Sequence, residues 1–301
     1  MNNRIAIIIP YFGKFPEWFD MYLYSCSKNE FVDFIFYTDC KIPERIYSNT
    51  LFYQESFECY CRRVSACLGV EFAPKYAYKL CDIRPFYGEI HSDILTSYEF
   101  WGYADIDLVY GDLSILLSEH VLSRYDIISA HHDRLSGHCT IIRKNSKYHK
   151  MCWSLPEWET KVSSDQHYGL DEVDFSRKVY PELRIVASFY RRVLSLFNID
   201  EYKYREVVNS FVRFCTRRFF KEFMTTLLPK DGQVWRYNVA DNKVYSYDGR
   251  ELPYLHFMFF KKTQYAETMQ YWREGFWQIP SMLDYENYSG DILIDNRGIT
   301  V

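Results

Sequence analysis

The chain has 301 residues, a formal net charge of −4 and a strongly aromatic composition, with 28 Tyr and 23 Phe. That length supports one large domain, or one domain with a small addition, and the charge argues against general affinity for nucleic acid. Nine cysteines are scattered with no C-x-x-C pair and no zinc-like spacing, so free, mostly buried thiols in a reducing cytoplasm are expected.

The first apolar run, Ile5-Ala6-Ile7-Ile8-Ile9, is too short for a signal peptide and stops at Pro10. No stretch reaches the roughly 18 apolar residues of a membrane span, so a soluble cytoplasmic protein is expected, attached at most to the inner membrane surface. The same run reads as a strand buried on both faces. Pro16 to Asn29 carries Trp18, Phe19, Tyr22, Leu23 and Cys26 at helical spacing, and Phe31 to Thr38 is the next strand. Strand, helix and strand predict a parallel βαβ unit whose ligand crevice lies beyond the carboxyl ends of the strands. Pro10, Tyr11, Phe12 and Asp39 fall at those ends, where Asp39 is equally compatible with a plain turn.

Glu55–Leu68 and Ala77–Ile90 read as helices, with Pro85 marking a kink or boundary in the second. Lys79 and Asp82 are spaced i, i+3 and share a face, either as a surface ion pair or as groups presented to a site. Tyr98 to Asp112, YEFWGYADIDLVYGD, reads as a buried strand interrupted by two carboxylates. Alternate strand residues share a face, so Asp105 and Asp107 are expected to point the same way. Two ionised carboxylates beside apolar strand need neutralising, by a divalent metal carrying a diphosphate or by solvent at a strand end.

Leu113–Leu122 and Tyr148–Leu155 read as helices, and Asp126–Ala130 and Ser136–Arg143 as strands. His131 and His132 are adjacent; on a strand they would point to opposite faces and could not readily share one ion, so the pair reads as a loop feature. Asp171 and Glu172 precede an apparent helix. That position favours the ionised form, which suits a general base less than a raised pKa would, and helix capping is the alternative. Arg191–Leu228 interleaves aromatic and basic residues, as in a helix on an anionic membrane surface or a core-facing helix pair with a solvated basic face. Gln233–Tyr247 is a hairpin turning at Asp241-Asn242. His256 sits in an apolar run shortly before Lys261 and Lys262. It is a core histidine or a neutral nitrogen ligand completing the two carboxylates, with a lysine available to a phosphate. Nothing beyond Gln278 suggests chemistry, and there is no Walker or G-x-G-x-x-G loop.

Six stretches, IIIPYFG, YKLCDIRPFYG, FWGYADIDLVYGD, SGHCTIIRKN, GLDE and YLHFMFFKK, occur in this order between Ile5 and Lys262. Together they resemble a group of bacterial GT-A-type glycosyltransferase-like proteins, long catalogued as a domain of unknown function and found among genes for surface polysaccharides such as O-antigen and capsule. The resemblance implies a GT-A-like, Rossmann-like α/β fold, with a mixed, mostly parallel sheet flanked by helices, a C-terminal helical segment and a β-hairpin. It implies a nucleotide-sugar-binding core at 1–190, a basic aromatic segment facing acceptor or membrane at 191–230, and a hairpin and strand at 231–301 that complete the site.

By the same resemblance, Pro10, Tyr11, Phe12 and Asp39 border the nucleotide, and Asp105, Asp107 and His256 hold Mn²⁺ or Mg²⁺. Lys261 or Lys262 contacts phosphate. Lys79, Asp82, Arg84, Gly137 and His138 lie at the donor sugar, with one residue fewer between Asp82 and Arg84 than such families usually show. Asp171 and Glu172 match the catalytic base of inverting enzymes, whereas His256 and the lysines match retaining ones. The implied activity moves a sugar, UDP-hexose by base rate, from a nucleotide donor to a glycan or lipid-linked glycan. A metal-dependent phosphoesterase or nucleotidyltransferase, and a non-catalytic sugar-nucleotide-binding protein, are the rival classes.

Overall fold

In chain order the first eight strands are β1 (Ile5–Pro10), β2 (Val32–Thr38), β3 (Thr50–Gln54), β4 (Phe100–Ala104), β5 (Leu108–Tyr110), β6 (Ile127–Ser129), β7 (Cys139–Arg143) and β8 (Arg218–Phe220). All but β5 form one sheet in the order β3-β2-β1-β4-β7-β6-β8. The computed structural model describes residues 4–226, 232–262, 271–272, 274–280 and 283–301. Four of the six neighbour pairings in this sheet are parallel; only those of β7, with β4 and β6, are antiparallel. The fold is therefore mixed α/β with a mostly parallel sheet.

The period of two in β1 divides the core. Ile5, Ile7 and Ile9 pack with helix α1 (Phe19–Ser27), while Ala6 and Ile8 pack with helix α2 (Phe57–Leu68) and the segment after it. Ser56 caps α2 by accepting from the Cys59 N–H, and Gly69 ends it at φ +71°.

Several expected helices are shorter or broken. Ala77–Phe86 is a 3₁₀ helix leading into one α-turn, Tyr87–Ile90. Pro85 lacks the N–H and clashes with the carbonyl four residues back, so a continuous α-helix is denied there. Leu113–Leu122 splits into Ser114–Leu117 and Glu119–Arg124, because Ser118 is extended and caps the second piece. Tyr148–Leu155 contracts to a 3₁₀ turn at Met151–Ser154.

The basic aromatic segment is not helical throughout. Helices Leu183–Arg192 and Glu201–Cys215 flank a turn at Leu194–Phe197, after which β8 joins the main sheet beside β6. Its last residues, 227–230, lie outside the described residues.

The expected hairpin forms from β9 (Trp235–Asn238) and β10 (Lys243–Tyr245), turning through Asn242 at φ +50°. The chain continues through β11 (Glu251–Leu252), β12 (Tyr254–His256), β13 (Lys261–Lys262), β14 (Tyr271–Trp272), β15 (Asp291–Ile294) and β16 (Ile299–Thr300). The tail after Gln278 adds β15 and β16 to the hairpin, completing an antiparallel sheet β11-β10-β9-β15-β16. Trp235, Tyr237, Ile292 and Ile294 bury this sheet in the α1-side core. The nine cysteines are free, five of them buried. No described helix is long and apolar enough to cross a membrane.

Candidate metal and active site

The strand expected across Tyr98–Asp112 is two strands. β4 ends at Ala104, Asp105-Ile106-Asp107 turns the chain, and β5 leaves the main sheet to pair antiparallel with β12. The Trp18 indole N–H holds the turn through the Ile106 carbonyl at 2.7 Å, and the Phe257 N–H holds the Asp107 carbonyl at 3.1 Å. β12 places His256 opposite Leu108, next to the turn.

Although no continuous strand aligns them, the two carboxylates converge on His256. Its Nε2 lies 3.3 Å from Asp107 Oδ2 and 4.0 Å from Asp105 Oδ2, and one ligand atom from each of the three residues falls within 4.8 Å of the others. Nδ1 of His256 meets Thr226 Oγ1 at 2.8 Å, which turns Nε2 towards the carboxylates. Nε2 is buried and makes no hydrogen bond among the described residues. An orphaned imidazole nitrogen facing two carboxylate oxygens, with its other nitrogen fixed by a hydroxyl, fits a divalent ion such as Mn²⁺ or Mg²⁺.

A cavity of about 220 Å³ opens beside this cluster, with Arg84, Asp105, Gly137, Asp171, Glu172 and His256 among its walls. Arg84 donates to the Gly137 carbonyl at 2.8 Å, to Asp171 Oδ2 at 3.0 Å and, with its other terminal nitrogen, to Asp105. Burial opposes the guanidinium charge, but Asp105 and Asp171 outweigh it and raise its pKa. Burial also pushes the Asp171 carboxyl up to about 6; Arg84 counters this and Glu172 reinforces it. The helix-start effect expected to favour the ionised form is thus outweighed and the pKa rises instead, because desolvation of a 2% exposed carboxyl exceeds a terminal-dipole effect of about 0.3–1 kcal/mol. Glu172 accepts from the Gly137 N–H at 2.9 Å. A Cβ on Gly137 would meet Glu172 Oε1 at 2.9 Å and the guanidinium of Arg84 at 3.1 Å, so any larger residue would displace one of these side chains. His138, also in the wall, stacks on His256 with ring centroids 4.1 Å apart.

Residues 7–284 match the family of unknown function DUF6625. The chain belongs to DUF6625. No curated protein matches it.

In this DUF6625 site, Lys79 and Asp82 have a different place from the one expected at a donor sugar. They form a buried ion pair at 2.8 Å and do not line the cavity. Lys79 also donates to the carbonyls of Lys161 and Gln166, while Asp82 accepts from the backbone N–H groups of Tyr168 and Leu170 at 2.9 Å each. Burial pushes Asp82 up, but His167, Lys79 and these N–H groups outweigh it and draw the carboxyl down to about 2. The pair fastens the chain just before Asp171.

Pro10, Tyr11, Phe12 and Asp39 stand at the carboxyl ends of β1 and β2, outside the cavity wall. Asp39 accepts from the Gly13 N–H at 2.7 Å, and Phe12 packs on Phe57 and Tyr60. The backbone of Lys261–Lys262 pairs with β14, and the side chains of both lysines lie outside the described residues. His131 and His132 lie in a loop, as expected. They follow β6 in a bend, and their Nδ1 atoms lie 3.3 and 3.1 Å from the same Glu222 oxygen. His131 and Arg134 enter the cavity wall, as does Thr226, which carries no sequence signal because only the fold brings it to His256.

Proposed function

We propose that this protein is a metal-dependent glycosyltransferase of GT-A type, moving a hexose from a nucleoside-diphosphate sugar such as a UDP-hexose to a hydroxyl of a surface glycan or lipid-linked glycan. The observation that carries this reading is the convergence of Asp105, Asp107 and His256 at the carboxyl end of the sheet, beside a cavity holding a carboxyl with a pKa near 6. The antiparallel strand β7 next to β4, within an otherwise mostly parallel sheet, agrees with a GT-A arrangement.

Asp105, Asp107 and His256 would hold a divalent ion, which would supply positive charge against that developing on a leaving diphosphate. Arg84 keeps Asp105 and Asp171 oriented and brings fixed positive charge to the same wall, so little reorganisation is needed as charge develops. Asp171 is positioned to take the proton of an acceptor hydroxyl, since a carboxyl near 6 is ionised at neutral pH yet more basic than an ordinary one. Glu172, held by the Gly137 N–H, fixes the other side of that wall. A base so placed favours inversion of configuration. Lys79 and Asp82 act behind the wall by holding the segment that presents Asp171.

Calorimetry with a panel of sugar nucleotides, with and without Mn²⁺, followed by product analysis, tests the proposal. Metal-dependent binding with release of nucleoside diphosphate and a sugar-bearing product is expected. Binding without turnover would leave a sugar-nucleotide-binding protein, and release of nucleoside monophosphate would point to phosphoesterase chemistry.

A further inference from the structure

The helical hairpin at 183–215 is fastened to the rest of the protein along one side. Buried Asn209 accepts from the Tyr180 hydroxyl and donates to the His132 carbonyl, both at 2.8 Å. Arg205 pairs with Asp133, and Val212 packs on the core. Away from this attachment the hairpin is apolar and open. Ile185 and Phe189, one helical turn apart, are exposed on the first helix. On the second, Tyr204, Val207 and Phe211 share a face at i, i+3 and i+7. The Tyr204 ring lies 6.3 Å from Phe189 and 5.9 Å from Tyr190, which joins the two faces. The connecting turn presents Leu196 at 79% and Phe197 at 71% exposure. A contiguous apolar surface of this kind marks an interaction site.

The charge around it selects the partner. Residues 183–217 contain seven Lys and Arg against three Asp and Glu, in a chain of net charge −4. Arg205 and Arg213 are paired with Glu201 and Glu206, whereas Arg191, Arg192 and Lys203 hold no carboxylate among the described residues. A two-fold contact with a second copy would gather both copies' unpaired cations into one interface short of carboxylates. An anionic bilayer neutralises them and takes up the apolar side chains.

We propose that residues 185–211 form a docking surface for an anionic lipid membrane, holding the cavity beside a lipid-linked acceptor. The identity of the acceptor rests on the glycosyltransferase reading; the docking does not. The surface starts ahead of the basic aromatic segment of the sequence, at Ile185, and stops short of its end, because Phe220 and Phe223 belong to the core. Asn209 and Arg205 tie the hairpin to the 131–134 bend, which supplies His131 and Arg134 to the cavity wall, so lipid docking and cavity share one connection.

Co-sedimentation of the full chain with phosphatidylcholine vesicles, with and without phosphatidylglycerol, tests the docking. Sedimentation only with the anionic vesicles, weakened by salt, is expected. The pairs Leu196→Ser with Phe197→Ser, and Arg191→Glu with Arg192→Glu, should each bind about tenfold less or weaker still, with unchanged melting temperature. Wild-type protein left in the supernatant, or both double variants sedimenting like wild type, overturns the proposal. So does light scattering that shows a lipid-free dimer which the Leu196→Ser, Phe197→Ser variant dissolves. Docking without sugar transfer from any donor removes the enzyme reading and leaves the membrane surface; transfer to a soluble acceptor without docking does the reverse.

Discussion

Thr226→Val tests the proposed metal centre with the least disturbance. The substitution keeps side-chain size and removes only the hydroxyl that meets His256 Nδ1 at 2.8 Å. Without it the ring loses the contact that directs Nε2 to within 3.3 Å of Asp107 and 4.0 Å of Asp105. One such hydrogen bond is worth about 0.5–1.5 kcal/mol net, which alone weakens affinity about 2- to 13-fold. Loss of an outer partner of a ligating histidine typically costs about 10- to 100-fold. The ranges overlap near tenfold, or about 1.4 kcal/mol, and that is the expected weakening of Mn²⁺ binding. Calorimetric titration with Mn²⁺, checked against free Mn²⁺ by electron paramagnetic resonance, reads it directly. Melting curves in chelator separate a loss of metal affinity from a loss of fold. A Kd within about twofold of wild type would refute the assignment of Thr226, and the same result for His256→Ala would remove the metal site itself.

Asp107→Ala should abolish metal-dependent sugar transfer while circular dichroism and the chelator melting temperature stay close to wild type; unchanged turnover sinks the enzyme assignment. Asp171, raised from 3.8 to about 6 by burial, favours the folded state when protonated. Its contribution is complete below about pH 4 and is lost as the pH rises through about 6, a change of about 3 kcal/mol. Denaturation from acid to neutral pH should show that loss, and Asp171→Asn should flatten it. Lys79→Met strands the fully buried Asp82 with only His167 and two backbone N–H groups, and should cost about 3 kcal/mol in urea denaturation. A cost under about 1 kcal/mol would show that the pair does not secure the segment before Asp171.

What could be read in the sequence was decided locally. β1 and β2 are apolar on both faces, so their period and Pro10 suffice to place them. Asp105 and Asp107 were recognisable as a pair, but the turn between them depends on Trp18, 88 residues from its Ile106 partner, and on the Phe257 N–H. The i, i+3 spacing of Lys79 and Asp82 was visible and their pairing followed. Their burial was not, because it comes from the 161–170 segment that closes over them. His256 was visible as a ligand type, whereas its orientation depends on Thr226, which no spacing rule connects to it.

The charges in and beside the cavity bring these separate observations together. Asp105, Asp107, Asp171 and Glu172 stand in or beside the cavity wall with Arg84, while Arg134 in the same wall is paired with Asp133. Arg84 is already shared between Asp105 and Asp171, and the raised carboxyl of Asp171 shows that its neutralisation is incomplete. Buried carboxylates that cannot all be paired protonate or recruit a cation. Asp171 has Arg84, which only partly cancels the basicity that burial gives it, whereas Asp107 and the second oxygen of Asp105 turn towards His256 Nε2. On the proposed function, a division of labour follows from this placement. The carboxylates at the turn suit a divalent ion, and the carboxylate behind the arginine suits proton transfer, because a metal bound directly at Asp171 would suppress the basicity that its burial creates.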